Sequence, residues 1–265
     1  MMLDVNHVYK TFHPGTINER RALAGVDLHL EEGDFVTVIG GNGAGKSTLL
    51  NAVAGVWPVD GGSIVIDGND ITGLPDYKRA PFIGRVFQDP MMGTAPDMQL
   101  EENLALAYRR GKKLGLRWHI TREEREMYRQ KLRELNLGLE DRLTTKVGLL
   151  SGGQRQAVTL LMASLQKPRL LLLDENTAAL DPATAAKVLE LSDRIVRENS
   201  LTTMMITHNM KDAIRHGNRL IMMNKGEIIF DCRGEEKAKL TVEELLEKFA
   251  EISGSALDSD RALLN

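Results

Sequence analysis

The sequence contains a single cysteine, Cys232, among its 265 residues. One thiol cannot form a disulfide within the chain or a cysteine-based metal cluster, and this usage fits a reducing compartment. No apolar run approaches the roughly 20 residues that a membrane-spanning helix needs. The N-terminus, Met1-Met2-Leu3-Asp4-Val5, also lacks the basic and apolar parts of a secretion signal. We therefore predict a chain that stays in the cytosol and meets a membrane only through a partner.

An excess of charge of either sign is missing too. The chain has 34 basic and 37 acidic side chains and a formal net charge of −3. No overall basic field would attract nucleic acid, and we predict no nucleic-acid partner. The composition is that of an ordinary globular protein, and the length fits one large domain.

Five apolar, β-prone runs are present along the chain. They cover residues 35–39, 83–87, 170–173, 203–206 and 219–223. Continuous apolar sequence is typical of strands that are buried on both faces of a parallel sheet. Helical stretches lie between the runs, for example from Pro182 to Glu198, and this alternation indicates an α/β core. In such sheets, ligands bind beyond the carboxyl ends of the strands.

Two N-terminal regions have a different pattern. Residues 2–33 and 61–68 contain short alternating runs with glycine turns, which predict a small antiparallel sheet. Further along, Asn224-Lys225-Gly226 separates two apolar runs in the manner of a hairpin turn.

Residues 97–166 are predicted to be wholly helical. Within them, Thr121-Arg122-Glu123-Glu124 has the spacing of a capping box and begins a charged helix that runs to about Asn136. The C-terminal tail, from about Ser253, is predicted to fray.

A glycine-rich motif follows the first apolar run. Gly40-Gly41-Asn42-Gly43-Ala44-Gly45-Lys46-Ser47 matches G-x-x-x-x-G-K-[ST] and leads into a helical sequence that starts at Thr48. Polyphosphate is bound by a ring of backbone N–H groups at a helix start, and only small residues let the backbone curl that tightly. A chance match is the alternative, and the strand–loop–helix context argues against it. The residues expected to contact nucleotide are Gly40, Asn42, Gly43, Ala44, Gly45, Lys46, Ser47 and Thr48.

Two carboxylates, Asp174 and Glu175, end the run 170–173. Adjacent strand residues point to opposite faces, so the two carboxylates cannot have the same task. We predict that Asp174 orients magnesium, that Ser47 ligates it, and that Glu175 accepts a proton from the water that attacks the γ-phosphate. An isolated Asp-Glu pair would be interpreted as a helix cap instead, but the buried strand before it and the phosphate loop favour the catalytic interpretation.

The segment Leu150-Ser151-Gly152-Gly153-Gln154-Arg155-Gln156 comes 20 residues before the strand at Leu170. Alone it would be a helix cap and a turn. Together with the phosphate loop and the Asp-Glu strand, it resembles the signature motif of ABC (ATP-binding cassette) ATPases, and the resemblance covers about residues 2–232.

The resemblance implies roles for further residues. Gln88 resembles the Q-loop glutamine, which is a magnesium ligand and a catalytic residue. His208 resembles the catalytic H-loop histidine, and Asp181, in Ala179-Leu180-Asp181, resembles the D-loop aspartate. Phe12 resembles the aromatic residue that stacks on adenine.

The resemblance also implies a fold, an α/β P-loop NTPase core with a mainly parallel sheet, an N-terminal antiparallel β subdomain and an inserted all-helical subdomain. The chain is then one nucleotide-binding domain. Its expected parts are the core with the β subdomain at 1–88 and 167–232, the helical signature subdomain at 89–166 and a C-terminal helical tail at 233–265.

In that family, two copies face each other head to tail around two Mg-ATP. Ser151, Gly152, Gly153 and Gln154 of one copy would then contact ATP bound at Lys46 of the other. The expected partners are a second copy of the chain, transmembrane permease subunits at the cytoplasmic face of the membrane and an extracytoplasmic substrate-binding protein. The residues of these motifs resemble those of an importer branch of the family, and some members of that branch handle amino acids.

Other ABC classes are less consistent with the sequence. The long coiled coil of DNA-organising relatives is missing, because only 104 residues separate Lys46 from Ser151. Translation-factor relatives fuse two cassettes, whereas this sequence holds one. A soluble iron–sulfur assembly ATPase stays open as the alternative to a transporter subunit. A guanine-reading switch protein would need Asn-Lys-x-Asp, and Asn224-Lys225-Gly226-Glu227 lacks the aspartate.

Overall fold

The computed structural model describes residues 2–112, 120–175, 177 and 180–253. The strands among them are β1 Leu3–Phe12, β2 Arg20–Leu30, β3 Phe35–Ile39, β4 Gly61–Ile66, β5 Asn69–Asp70, β6 Ile83–Val86, β7 Leu170–Asp174, β8 Thr202–Ile206, β9 Arg219–Asn224 and β10 Glu227–Arg233. The α-helices are α1 Lys46–Ala54, α2 Asp76–Arg79, α3 Leu100–Tyr108, α4 Arg122–Arg133, α5 Gly152–Ser164, α6 Pro182–Asn199, α7 Met210–Arg215, α8 Glu235–Lys239 and α9 Val242–Ser253, with a 3₁₀ helix at Val147–Leu149.

The chain divides into two compact units. Unit 1 comprises Met1–Arg79 and Ser200–Asn265, and unit 2 comprises Ala80–Asn199. This division follows packing, whereas the boundaries expected at 88/89, 166/167 and 232/233 follow the functional parts of the family, so those boundaries stay a prediction. No helix in the described part of the chain is both long and apolar enough to span a membrane.

Unit 1 contains the predicted antiparallel sheet, with the strand order β2-β1-β4-β5. Leu3 pairs with Leu30 of β2 on one side and with Ile66 of β4 on the other. The alternate residues Leu3 and Val5 of β1 are fully buried, which gives this sheet one face against the core.

A second layer of unit 1 is built around β3. This strand pairs in parallel with β8 on one side and with β9 on the other, and β10 continues antiparallel beyond β9. All of its residues are buried, as its continuous apolar sequence predicted. The C-terminal helices close this layer, since Leu245 and Phe249 of α9 pack in one cluster with Met222 and Cys232.

Unit 2 contains the parallel strand pair β6–β7 and the helices α3, α4, α5 and α6. Ile83 is opposite Leu170 in the pair. The predicted helix after Thr121 is confirmed as α4, and Thr121 caps it through the N–H of Glu124.

The prediction of a wholly helical segment at 97–166 needs a correction at Gln99 and Lys146, which form an isolated antiparallel bridge. The physical reason is the start of α3, whose first N–H groups have no acceptor within the helix. The N–H of Leu100 bonds instead to the carbonyl of Thr145, and that of Glu101 to the carbonyl of Leu143. The fraying predicted beyond Ser253 falls on residues outside the described ranges.

Candidate functional site

The glycine-rich loop of unit 1 lies between β3 and α1, as predicted, and its glycines are required by close backbone contacts. Gly40, Gly43 and Gly45 all have positive φ angles, of 145°, 79° and 107°. A Cβ atom on Gly40 would lie 2.2 Å from the carbonyl oxygen of Met223, and one on Gly45 would lie 2.6 Å from that of Ala22. No other residue type fits at these two positions without moving the backbone.

Lys46 folds back over the loop. Its side chain is almost buried, with 5% relative exposure, and Nζ donates to the carbonyl oxygens of Gly40 at 2.6 Å and Gly41 at 3.2 Å. The next residue, Ser47, is exposed in the first turn of α1. An ammonium group, an exposed hydroxyl and the unpaired N–H groups of a helix start form a donor set that suits a polyphosphate. The residues present therefore fit the nucleotide that the sequence predicts.

The β9–β10 turn supports this loop, and sequence reasoning missed that contact. The hairpin itself is confirmed, but the structure also shows that the N–H of Gly226 donates to the carbonyl of Ala44 at 2.9 Å. The carbonyl of Gly226 in turn accepts from Ala24 at 3.0 Å. Because the carbonyl and the following N–H of a peptide unit point in opposite directions, holding the Ala44 carbonyl also sets the direction of the Gly45 N–H.

Phe12 and His208 belong to the same unit. Phe12 ends β1 with a partly exposed ring, which makes an edge contact with Trp57 at a centroid distance of 4.9 Å. His208 follows β8, and the adjacent Thr207 N–H donates to the carbonyl of Val38 in β3 at 3.2 Å. The ends of these neighbouring parallel strands therefore place His208 and the phosphate loop at the same edge of the sheet.

In unit 2, Asp174 is the last residue of β7, and Glu175 follows the strand rather than belonging to it as the sequence predicted. Asp174 forms a partly buried ion pair with Arg85 of β6, at 3.3 Å. The Arg85 guanidinium also lies 4.5 Å from the ring centroid of Phe87, and burial lowers its pKa. Glu175 has a φ of 43°, in the left-handed region that a residue with a side chain rarely adopts.

The signature segment begins α5. Ser151 is its N-cap and forms a capping box with Gln154, as the family resemblance implied for a helix start. Gly153 packs against α6, because a Cβ atom there would lie 2.2 Å from Cγ2 of Thr184. Hydrogen bonds from Thr184, including one from its N–H at 3.1 Å, lower the pKa of Asp181, which precedes α6. The starts of α5 and α6 are thus in contact within unit 2.

Gln88 is exposed just after β6. The residue before it is linked to the signature helix, because Nε2 of the buried Gln156 donates to the carbonyl of Phe87 at 3.4 Å. Gln156 belongs to the signature segment, but its contact with Phe87 was not predicted, and Arg85 was not predicted as a neighbour of Asp174, because no local pattern indicates either pair.

The structure therefore assembles the predicted residues in two groups. Unit 1 holds Phe12, the loop from Gly40 to Thr48, and His208, and unit 2 holds Gln88, Asp174, Glu175, the signature segment and Asp181. Ala179, predicted as part of the D-loop, lies outside the described residues.

Comparison with known proteins identifies the family to which these features belong. The family model described as ABC transporter matches residues 23–178, which contain the phosphate loop, the signature segment and the Asp-Glu strand. The chain belongs to the ABC transporter family. As in the cassettes of that family, it binds and hydrolyses ATP.

Individual relatives agree with this assignment. A tyrosine transport ATP-binding protein of Clostridioides difficile is 47% identical over 94% of this chain and 98% of its own length. The xylose/arabinose import ATP-binding protein XylG of Sulfolobus acidocaldarius is 33% identical over 94% of this chain and 95% of its own. Among solved structures, the dimeric post-hydrolysis state of the ATP-binding cassette MJ0796, bound to ADP and Pi, is 30% identical, has a TM-score of 0.74, and covers 88% of this chain and 98% of its own.

Proposed function

We propose that this ABC ATPase drives an importer of amino acids by closing as a homodimer around two Mg-ATP. The observation that carries the proposal is the presence in one chain of two helix starts with anion-binding character, each with an exposed serine. One lies at Lys46 and Ser47, and the other at Ser151. Two copies arranged head to tail would let each triphosphate contact the first helix start of one copy and the second of its twin. The dimeric cassette MJ0796 supports this arrangement.

Within each nucleotide site, we assign the chemistry to residues of this chain. Lys46 contacts the β- and γ-phosphates, Phe12 stacks on the base, and Glu175 accepts the proton of the attacking water. Bound magnesium would neutralise charge on the phosphates, and Ser47, Gln88 and Asp174 are the residues that would hold it.

The remaining predicted contacts complete the assignment. His208 lies at the strand edge beside the phosphate loop, where its ring would contact the γ-phosphate. Ser151, Gly152, Gly153 and Gln154 would contact the nucleotide of the partner copy, and Asp181 lies beside them, where it senses closure. Loss of the γ-phosphate removes the group that joins the two copies, so hydrolysis opens the dimer.

Amino-acid import is supported by the tyrosine transport relative, which is similar along nearly its entire length. We propose transmembrane permease subunits and an extracytoplasmic binding protein as partners, with the chain at the cytoplasmic face of the membrane. The permease that copurifies with the chain, reconstituted in vesicles with that binding protein, should take up tyrosine in an ATP-dependent manner. ATP-dependent uptake of a sugar but not of tyrosine would contradict the amino-acid assignment.

Glu175→Gln tests the site directly. We expect ATP binding to persist, turnover to fall by about 10²–10⁴-fold because the general base is lost, and an ATP-bound dimer to accumulate. ATPase activity and size-exclusion elution with Mg-ATP provide the two measurements, and Glu198→Gln, an exposed position on α6, is the matched control. Normal hydrolysis by Glu175→Gln would show that this carboxylate is not the base.

Ser151→Arg tests the shared site. A bulky cation at the N-cap should prevent closure while each monomer still binds nucleotide. Retention of full ATPase activity by this variant would contradict the two-copy arrangement.

A further inference from the structure

Arg20, the first residue of β2, lies at the phosphate loop. Its Nη2 donates to the carbonyl oxygen of Gly43 at 3.1 Å. The guanidinium group covers this glycine so closely that a Cβ atom on Gly43 would lie 2.2 Å from Nη2. A cation from the N-terminal hairpin therefore touches the loop that binds the phosphates.

The same residue lies opposite Phe12. In the register of β1 with β2, Phe12 pairs directly with Arg20. Phe12 is the residue proposed to stack on the base, and Gly43 belongs to the phosphate loop. Arg20 thus lies between the two parts of the site that would hold the two ends of a nucleotide.

Within the described part of the chain, the charge of Arg20 has no carboxylate partner, and its bond to Gly43 accounts for one of five guanidinium N–H donors. The side chain is exposed, so its other donors are accessible to a ligand. A planar group with several N–H donors is well suited to phosphate oxygens.

We propose that Arg20 is a nucleotide-binding residue, a second cation beside Lys46 that contacts the polyphosphate of bound ATP or ADP. The inference rests on the proposed placement of nucleotide at residues 40–48. In this role, the Arg20 guanidinium donates hydrogen bonds to phosphate oxygens, either in place of its bond to the Gly43 carbonyl or in addition to it. These bonds raise the affinity for di- and triphosphates, and Arg20 takes no part in the hydrolytic step.

The next residue provides a matched control. Arg21 points to the other face of β2, because successive strand residues alternate. Its guanidinium lies 5.7 Å from the ring centroid of Tyr9, away from the loop. Arg20→Met and Arg21→Met therefore remove the same charge from neighbouring exposed positions, and only the first removes a contact with the loop.

Isothermal titration of the full-length protein with ADP, ATP and adenosine would test the proposal. For Arg20→Met we expect the Kd for ADP and ATP to rise about fivefold to twentyfold, as for loss of one partly exposed charge-assisted hydrogen bond. The Kd for adenosine should be unchanged, kcat at saturating ATP should stay within about twofold, and Arg20→Lys should recover part of the affinity. A structural role alone would not separate the phosphorylated ligands from adenosine.

Equal ADP affinities of Arg20→Met and Arg21→Met would overturn the proposal. Wild-type protein and Lys46→Ala distinguish this result from failure of the proposed site. If wild type binds ATP and Lys46→Ala does not, the site stands and only the role of Arg20 is refuted. If Lys46→Ala binds ATP as wild type does, the placement of nucleotide at the loop is refuted as well.

Discussion

Arg79 is the residue whose replacement should most clearly change the helix behind the phosphate loop. Its guanidinium is buried, with 2% relative exposure, at the C-terminal end of α1. It donates to the carbonyl oxygens of Ala52 and Val53 at 2.8 Å each, and to those of Leu74 at 2.8 Å and Thr72 at 2.9 Å. The last carbonyl groups of a helix have no N–H donor within it, so Arg79 acts as a cap for α1.

The effect of Arg79→Met can be estimated from these contacts. Ala52 and Val53 are fully buried, but the carbonyl of Ala52 also accepts from the N–H of Gly55 at 3.2 Å, so only the Val53 carbonyl would be left unsatisfied, at about 1–3 kcal/mol. Thr72 and Leu74 are half-buried, so water can replace the guanidinium there. Burial lowers the pKa of Arg79, which shows a desolvation cost that the methionine would relieve. We therefore expect a net loss of about 1–3 kcal/mol in the free energy of unfolding of this region.

Hydrogen exchange of the α1 amides provides the assay. A loss of about 1–3 kcal/mol corresponds to exchange that is faster by about fivefold to 140-fold, at about 1.4 kcal/mol per factor of ten. Arg79→Lys keeps the charge with fewer and differently directed donors, and it should fall between wild type and Arg79→Met. Arg21→Met is the control for loss of an exposed guanidinium. Wild-type exchange rates and an unchanged urea midpoint in Arg79→Met would refute the capping role.

Two further substitutions and one labelling experiment test other parts of unit 1. Gly226 has a φ of 85°, and Gly226→Ala places a Cβ atom 2.9 Å from the carbonyl oxygen of Ala22. The turn should therefore shift, and the Kd for ATP, measured by titration, should rise about tenfold. An unchanged Kd would show that the turn does not support the loop. Lys237→Met removes a buried ammonium that donates to the carbonyls of His216 and Gly217, and the free energy of unfolding in urea should fall by about 1–3 kcal/mol; a change below about 0.5 kcal/mol would contradict this. Burial raises the pKa of Cys232 from 9.0 to about 11, so iodoacetamide should modify it at about pH 8 only after unfolding. Because the folded pKa is the higher one, the stability contribution of this thiol is present below pH 9.0 and is lost as the pH rises through about 11; rapid labelling of folded protein would contradict its burial.

The strands that carry the motifs were predictable because their signals are local. The runs at 35–39 and 170–173 are almost wholly apolar, and a motif follows each of them, the glycine-rich loop after the first and the Asp-Glu pair after the second. The structure has β3 and β7 at these places. The helix cap at Ser151 also has a local signal, since the two residues of its capping box, Ser151 and Gln154, are only three positions apart.

The long-range contacts of the phosphate loop could not be predicted in this way. Arg20 contacts Gly43 and Gly226 contacts Ala44 across long intervals of sequence, and no local pattern indicates such pairs. The sequence Asn224-Lys225-Gly226 predicted a hairpin turn, and the structure has this turn between β9 and β10. Its position against the loop depends on the pairing of β9 with β3, which a single sequence does not reveal.

These contacts fix α1 at both ends. Gly226 holds the carbonyl of Ala44 before the helix, and Arg79 holds those of Ala52 and Val53 at its end. Folding already orders the loop and the helix, so nucleotide binding does not have to supply the free energy of ordering them. The affinity for nucleotide therefore also depends on residues that do not contact the nucleotide. Two classes of variant follow from this. Changes at Gly226 or Arg79 should lower stability and affinity together, because they disorder the loop. A change at Arg20 should lower affinity alone, because it removes a contact with the phosphates and leaves the loop in place.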